Sequence, residues 1–304
     1  MERPHTDAST GGPSLRAVGP YHLITRLDPP RSPHVPVRRF VARGADGERT
    51  VLVSTPLPGA DPARFAVEAE AARRLTGPWV APVAEVAATP GAPWYASPYL
   101  PVLPLPVALA VHGGPLPEAT VRALGAALAE TLAAAHLQGL THAGVAPATV
   151  LLAGDGPRLT GFGAVRAAGP DGGRRSGLPG LDPGALAPEQ ATGGRPRPPG
   201  DVYALGAVLA YASTGHTVPE RSELPAALRA LITSCLTRDP AARPTAASVL
   251  AGLAPPSPHA TVLSAAGALL TPGWLPGRIV AALARQSAEV LAAELRLPAH
   301  SPGN

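Results

Sequence analysis

The sequence predicts an α+β chain, with a small β-rich N-terminal part followed by a larger helical part. Three observations carry this. Residues 37–43 and 49–54 read as a β-hairpin closed near Asp46-Gly47, a strong turn dipeptide. Residues 117–137 form a long Ala/Leu-rich helical stretch ended by Gly139. Between them in character, 140–167 reads LTHAGVAPATVLLAGDGPRLTGFGAVRA: a His-led loop, an apolar strand pair and a Gly-Phe-Gly turn.

The bulk numbers narrow the function classes. The chain has 304 residues, 45% of them hydrophobic, with 40 Pro and 33 Gly, enough for a sizeable core joined by many stiff loops. A formal charge of +4 is spread thinly, with no run of more than two basic residues, so nucleic-acid binding is not expected. There is no lysine at all; the 25 basic residues are all Arg, and the only Asn is Asn304. Drift toward Ala, Arg, Gly and Pro explains part of this, but drift alone would turn an essential Lys into Arg. The single Cys235 excludes an internal disulfide and a Cys-based zinc site. The N-terminus has no apolar core for a signal peptide, and no window reaches eighteen uninterrupted apolar residues, so a cytoplasmic protein without a membrane span is expected.

Residues 1–20 are polar and rich in Gly, Pro and Ser, and are expected to be disordered. A first strand begins at Tyr21 and runs to Leu27. Asp61-Pro62 is a sound helix start and Gly77 a sound stop, which places a helix over 62–75. Residues 79–86 and 94–100 supply two more strands. Val150-Leu151-Leu152 and Arg158-Leu159-Thr160 form a short strand pair. After residue 254 comes a Pro/Ser linker, then Trp274 and a helix near 277–295 whose Ile279, Leu283, Val290 and Leu291 recur at helical spacing.

The order of these motifs resembles the Ser/Thr protein kinase family, in a degenerate actinobacterial form. Active members carry H-R-D-x-K-x-x-N in the loop and D-F-G in the turn. Here His142 stands, while Ala143, Gly144, Ala146 and Thr149 fill the Arg, Asp, Lys and Asn positions, and Gly161 precedes Phe162-Gly163. Gly161 lies 19 residues after His142, a spacing that suits the family. Ser54 takes the place of the Lys that holds the α/β-phosphates, and Glu68 matches that Lys's partner. With no Lys to meet, Glu68 is expected to be a solvated carboxylate on the helix surface. Ala187-Pro188-Glu189, Asp201 and Arg243 match the A-P-E triplet, the Asp that braces the catalytic loop, and the Arg that pairs with the triplet's Glu.

The resemblance implies a bilobal kinase-like domain over 21–254, with an N-lobe at 21–97, a hinge at 98–101 and a C-lobe at 102–254, followed by a linker and helix at 255–304. Asp201 and Arg243 are only 42 residues apart, which implies loss of the family's helix G. A vestigial adenine pocket would comprise Leu52, Tyr99 and Leu151, with Leu52 standing where the family has a small Ala. The loop between the first two strands carries Pro29, Pro30, Pro33 and Pro36 instead of glycines, removing four backbone donors that would cradle phosphate. Ser176 is the only hydroxyl of 161–189, beside Arg174 and Arg175, in a loop expected to be mobile; Ala143 replaces the Arg that would receive a phosphate there.

A dinucleotide fingerprint at Gly161-Phe162-Gly163 is disfavoured, because Arg166 takes the third Gly position and no helix-forming run is read after the turn. Phosphoryl transfer depends on charge neutralisation and positioning, and the Lys, both Asp and the Asn are all missing. The expectation is a noncatalytic pseudokinase that binds a protein partner, an active kinase or its substrate, with no ATP, magnesium or other cofactor. The alternative is a weakly active ATP- and magnesium-dependent kinase using unaligned groups such as Asp182 or Glu68.

Overall fold

The computed structural model describes residues 17–30, 32–254 and 264–294. Residues 1–16 of the segment expected to be disordered, and the linker at 255–263, lie outside the described residues. Ala17–Val18 forms a short strand, β1. It opens an antiparallel sheet with β2 (Tyr21–Arg26), β3 (Val37–Gly44), β4 (Thr50–Pro56), β5 (Glu85–Ala87) and β6 (Trp94–Pro98), in the order β1-β2-β3-β4-β6-β5. Helix α1 (Pro62–Ala72) connects β4 to β5, and Asp61 accepts from the amides of Ala63 and Arg64 as its N-cap.

Side-chain alternation along β4 decides the two faces of this sheet. Val51 and Val53 join Tyr21, Ala42, Trp94 and Ala96 in an outer cluster. Leu52 and Ser54 therefore point to the opposite face, toward the cleft between the lobes. Tyr21 on β2 donates to Glu85 on β5 (2.7 Å), and burial with this carboxylate pushes the phenol up to about 12.

Two expected boundaries change. Residues 79–86 are not a continuous strand: Val80 makes an isolated parallel bridge to Leu159, Pro82 interrupts the run, and only Glu85–Ala87 joins the larger sheet. Helix α1 ends at Ala72 rather than 75, since Leu75 leaves the helical path to pack with Val80, Ala135 and Leu140.

The larger lobe is helical. Strand β7 (Leu103–Pro104) leads into α2 (Leu105–His112) and α3 (Glu118–Leu137). A small sheet, β7-β8-β9, includes β8 (Val150–Ala153) and β9 (Gly156–Leu159). Then follow α4 (Ala164–Ala168), α5 (Pro188–Ala191), α6 (Pro198–Thr214), α7 (Ala226–Cys235), α8 (Ala246–Leu253) and α9 (Gly277–Glu294). Residues 215–225 join α6 to α7 without a helix between them. The core is centred on α3, where Leu124, Leu128 and Leu132 are fully buried with Leu205 and Leu209 of α6. Each such Leu is worth about 1.5–3 kcal/mol of burial. Cys235 lies inside this core, and burial pushes its thiol up to about 12, so it stays an unreactive thiol.

Helix α9 packs back on the domain with Ile279, Leu283 and Val290 buried. Leu291, expected on the same face, is 60% exposed. At about 100° per residue it stands roughly 120° round the helix from Ile279, whereas Val290 is nearly in line. Gln286 of α9 accepts from the Val102 amide (3.0 Å) and the Tyr99 hydroxyl (3.3 Å), tying the tail to the hinge. The indole N–H of Trp274 donates to the Gly154 carbonyl (2.9 Å). No helix among the described residues is long and apolar enough to cross a membrane.

Candidate functional site

The loop at 142–149 is held from below by Asp201. Its carboxylate accepts from the amides of His142 and Ala143, both at 2.7 Å, and meets His136 Nε2 at 2.9 Å. These bonds hold Ala143 at φ +52, a left-handed conformation that a non-glycine residue rarely takes. From above, the His142 carbonyl accepts from Gly163 N and the Ala143 carbonyl from Val165 N, both at 2.8 Å. His142 is wholly buried and stacks edge-on against Phe162, with ring centroids 5.6 Å apart. Burial pushes its imidazole down to about 4, so the ring is neutral at pH 7. Neither ring nitrogen has a hydrogen-bond partner among the described residues.

The positions matching the catalytic groups are packed against one another. A Cβ on Gly144 would collide with the Gly161 carbonyl oxygen, and one on Gly161, at φ +77, would stand 2.5 Å from Thr149 Cγ2. Thr149, matching the metal-binding Asn, is buried and faces the backbone: its hydroxyl donates to the Gly144 carbonyl (2.8 Å) and accepts from the Ala146 amide (2.9 Å). The space that Gly144, Ala146, Thr149 and Asp182 share measures only about 20 Å³. That is scarcely more than one water needs. No cluster of three or more His, Cys, Asp or Glu able to hold a metal occurs among the described residues.

The position that the resemblance gives to an adenine is apolar. Leu52 and Leu151 lie in one buried cluster with Leu27, Val102 and Ala153, and Leu100 packs against it. Tyr99, expected in this pocket, instead turns its hydroxyl to Gln286, because hinge residues alternate in direction and α9 offers the acceptor. Over the cleft, the Pro-rich loop folds onto the lower lobe, where His34 Nδ1 meets the Leu181 carbonyl at 2.9 Å.

Glu68 requires a correction. It is not solvated but forms a two-point ion pair with Arg166, Nε–Oε1 at 2.9 Å and Nη2–Oε2 at 2.7 Å. Arg166 also donates to the Thr141 carbonyl (3.1 Å) and lies 4.9 Å over the Phe162 ring. The physical cause is α4: the Ala-Val-Arg-Ala-Ala run after Gly163 does form a helical turn, contrary to expectation, and it lifts Arg166 under α1. The sequence signal was that helix-favouring run. A second unanticipated pair is Arg39, 2% exposed, with Asp28 of the Pro-rich loop (Nε–Oδ2 2.8 Å). Asp182 is engaged too, accepting from the Gly184 amide at 2.8 Å.

In residues 161–189, the segment that the resemblance makes an activation segment, Arg175 is internal. It donates to the carbonyls of Gly169 (3.1 Å) and Gly194 (2.8 Å) and to Asp171 (2.6 Å), so it is no surface charge beside Ser176. Glu189 and Arg243 form a bidentate pair at 2.7 and 2.8 Å. Arg243 also donates to the Thr237 carbonyl and lies 5.0 Å over the Tyr203 ring. The Arg243 side chain is fully buried, while that of Glu189 retains 29% exposure.

No protein-family model matches the chain. Among curated proteins, it is 37% identical over 258 residues to the probable serine/threonine-protein kinase PkwA of Thermomonospora curvata, covering 78% of this chain and 34% of that protein. It is 31% identical over 287 residues to the serine/threonine-protein kinase AfsK of Streptomyces coelicolor, covering 87% of this chain and 35% of that one. It is 34% identical over 223 residues to the serine/threonine-protein kinase PknK of Mycobacterium tuberculosis, covering 65% and 20%. The chain thus spans about a third or less of the length of these relatives. With the bilobal α+β fold, these similarities assign the chain to the bacterial Ser/Thr protein kinase family.

Proposed function

We propose that this domain is a pseudokinase: a noncatalytic member of the family that binds a protein partner in cytoplasmic Ser/Thr kinase signalling, an active kinase or its substrate. The observation that carries the reading is the contact between Gly144 and Gly161. Family chemistry needs a carboxylate at each position, one to orient the acceptor hydroxyl and one to hold magnesium. Here a Cβ at Gly144 would strike the Gly161 carbonyl and one at Gly161 the Thr149 methyl, so neither carboxylate has room without moving the loop. Loss of a general base alone costs roughly 10²–10⁴ in rate.

The remaining groups support the same reading. Nucleotide and magnesium do not fit the residues present. Leu27, Leu52, Val102 and Leu151 pack together where the resemblance puts a base, Ser54 offers no cation, and Thr149 is committed to the backbone. Weak activity through Asp182 or Glu68 is disfavoured because one caps a turn and the other is paired with Arg166. What the chain retains is its framework: Asp201 under the loop, Phe162 packed against Leu75, Val80 and Leu140, and Arg243 beneath Glu189. A framework kept without its chemistry suits a docking role.

The test is a phosphotransfer assay with radiolabelled ATP and either magnesium or manganese, on the protein itself and on a generic protein acceptor. No incorporation above a protein-free control is expected. Incorporation that Thr149→Ala abolishes would overturn the reading.

A further inference from the structure

Around the Glu189–Arg243 pair the structure gathers four exposed arginines from three separate segments. Arg174 belongs to residues 161–189, Arg195 and Arg197 to the link between α5 and α6, and Arg238 to the bend after α7. The Gly172 amide donates to the Gly193 carbonyl (2.8 Å), which sets the first segment beside the second. Two buried guanidinium groups fix the backbone beneath these side chains. Arg175 donates to the Gly194 carbonyl (2.8 Å), and Arg243 to the carbonyls of Pro199 (2.9 Å) and Arg238 (3.1 Å).

The presentation of Arg195 and Arg197 is rigid. Their stretch reads Arg195-Pro196-Arg197-Pro198-Pro199, with Pro196 buried and both arginines exposed. Arg197 is extended, at φ −138 and ψ 162, and residues two apart on an extended chain leave the same side about 6.5–7 Å apart. The prolines fix the backbone in advance, so little freedom is lost when a partner binds. Helix α6 begins at Pro198, and the positive end of its dipole adds to the charge beside Arg197.

This charge is not balanced within the chain. Among the described residues none of the four arginines forms an ion pair. The neighbouring acids are engaged: Asp171 accepts from Arg175, Glu189 from Arg243, and Asp239 from the Ala241 amide. An anionic partner would relieve the repulsion among the arginines. The exposed large apolar residues, Val67, Leu137, Val218, Val280 and Leu291, all belong to other segments, so nothing here is built to enter a lipid surface. The Tyr203 ring on α6 is covered by Arg243 (5.0 Å) and is not offered to a nucleic-acid base. A planar guanidinium does match a carboxylate through two parallel bonds. Alternate side chains of an extended peptide also repeat at the spacing of Arg195 and Arg197.

We propose that this surface docks an extended acidic peptide segment of a protein partner. Its Asp or Glu residues at alternate positions face Arg195 and Arg197, and flanking acids meet Arg174 and Arg238. The inference rests on the protein-binding reading above and gives that partner its chemistry.

The probe is a rhodamine-labelled peptide of six Glu-Gly repeats, titrated into the full chain and followed by fluorescence anisotropy. Saturable binding is expected at low ionic strength, with clear weakening near about 0.15 M salt. Arg195→Gln and Arg197→Gln should each weaken it about threefold, and the double variant about tenfold. Arg285→Gln removes the same charge from an exposed position on α9 and should leave binding unchanged. If the peptide does not saturate, or Arg285→Gln weakens it as much as Arg195→Gln does, the inference falls while the noncatalytic reading stands. The inference also falls if polyuridylate or phosphatidylserine vesicles bind more tightly than the peptide through the same arginines. Phosphotransfer from labelled ATP with peptide binding intact would overturn the noncatalytic reading alone.

Discussion

The Glu68 carboxylate and the Arg166 guanidinium meet at 2.7 and 2.9 Å, joining α1 of the upper lobe to the short helix that follows the Gly-Phe-Gly turn. In a chain without lysine this pair does a different job from the family's Lys–Glu contact. It links α1 to the activation segment rather than to the sheet. Glu68 keeps 14% and Arg166 27% side-chain exposure, so the pair is worth more than a surface salt bridge but less than a buried one. Glu68→Gln and Arg166→Met should each destabilise the domain by about 1–2 kcal/mol in urea. The double variant should show a coupling of about 0.5 kcal/mol or more; strict additivity would mean that the contact does not form in solution.

Arg243 is the more deeply committed cation. Its side chain is fully buried, with two bonds to Glu189 and further bonds to the carbonyls of Thr237, Pro199 and Arg238. Arg243→Ala leaves Glu189 and several carbonyls without their donor, a loss of about 3–5 kcal/mol that differential scanning calorimetry would register. Arg243→Lys should rescue little of it, because an ammonium cannot reproduce the planar fork. A melting temperature unchanged in the alanine variant would refute the clamp.

His142 makes stability depend on acid. Its folded-state value near 4 lies below the ordinary 6.5, so the unfolded chain takes up this proton first. The contribution is fully present above about pH 6.5 and is lost as pH falls toward 4. Over that window wild type should lose on the order of 3 kcal/mol more than His142→Phe. Denaturation curves for the two proteins at pH 7, 5.5 and 4 check this, and parallel losses would count against a neutral buried ring.

ATP–magnesium should not bind the wild-type chain below millimolar concentration by calorimetry, because Leu52 brings three carbons beyond an alanine methyl into the base position. Restoring Ser54→Lys, Gly144→Asp, Thr149→Asn and Gly161→Asp together should not recover binding. Gly161→Asp alone should cost about 1–3 kcal/mol, since φ +77 and the Thr149 methyl oppose any side chain. Micromolar binding by either protein would contradict this expectation.

Gln286 should couple the tail to the hinge. Removing its carbonyl in Gln286→Ala leaves the Val102 amide without its acceptor, at about 1 kcal/mol. Hydrogen exchange read at Val102 should quicken, with little change in the α3 core. Unchanged protection at Val102 would show that α9 does not hold the hinge in solution.

Much of the fold was legible in the chain. Asp46-Gly47 closes the hairpin by local turn chemistry, and the alanine-rich run before Gly139 is helical by propensity and periodicity, so β3, β4 and α3 appear where expected. The motif order located Asp201, Glu189 and Arg243, whose charged groups hold the loop backbone and one another. Boundaries next to proline were less legible. Pro82 prevents the strand that the apolar residues around it suggest.

By itself, the sequence determined which residues stand at the positions matching the family's catalytic groups: a chain without lysine, with Gly144 and Gly161 at the two acidic positions, is read residue by residue. Only the tertiary structure decided which contacts those positions and their neighbours make. Arg166 stands 98 residues beyond Glu68, and Arg39 meets Asp28 from an adjoining strand. Such pairings depend on how helices and strands approach one another, which no local pattern encodes. The same holds for the four exposed arginines, brought together from three separate segments by the buried Arg175 and Arg243.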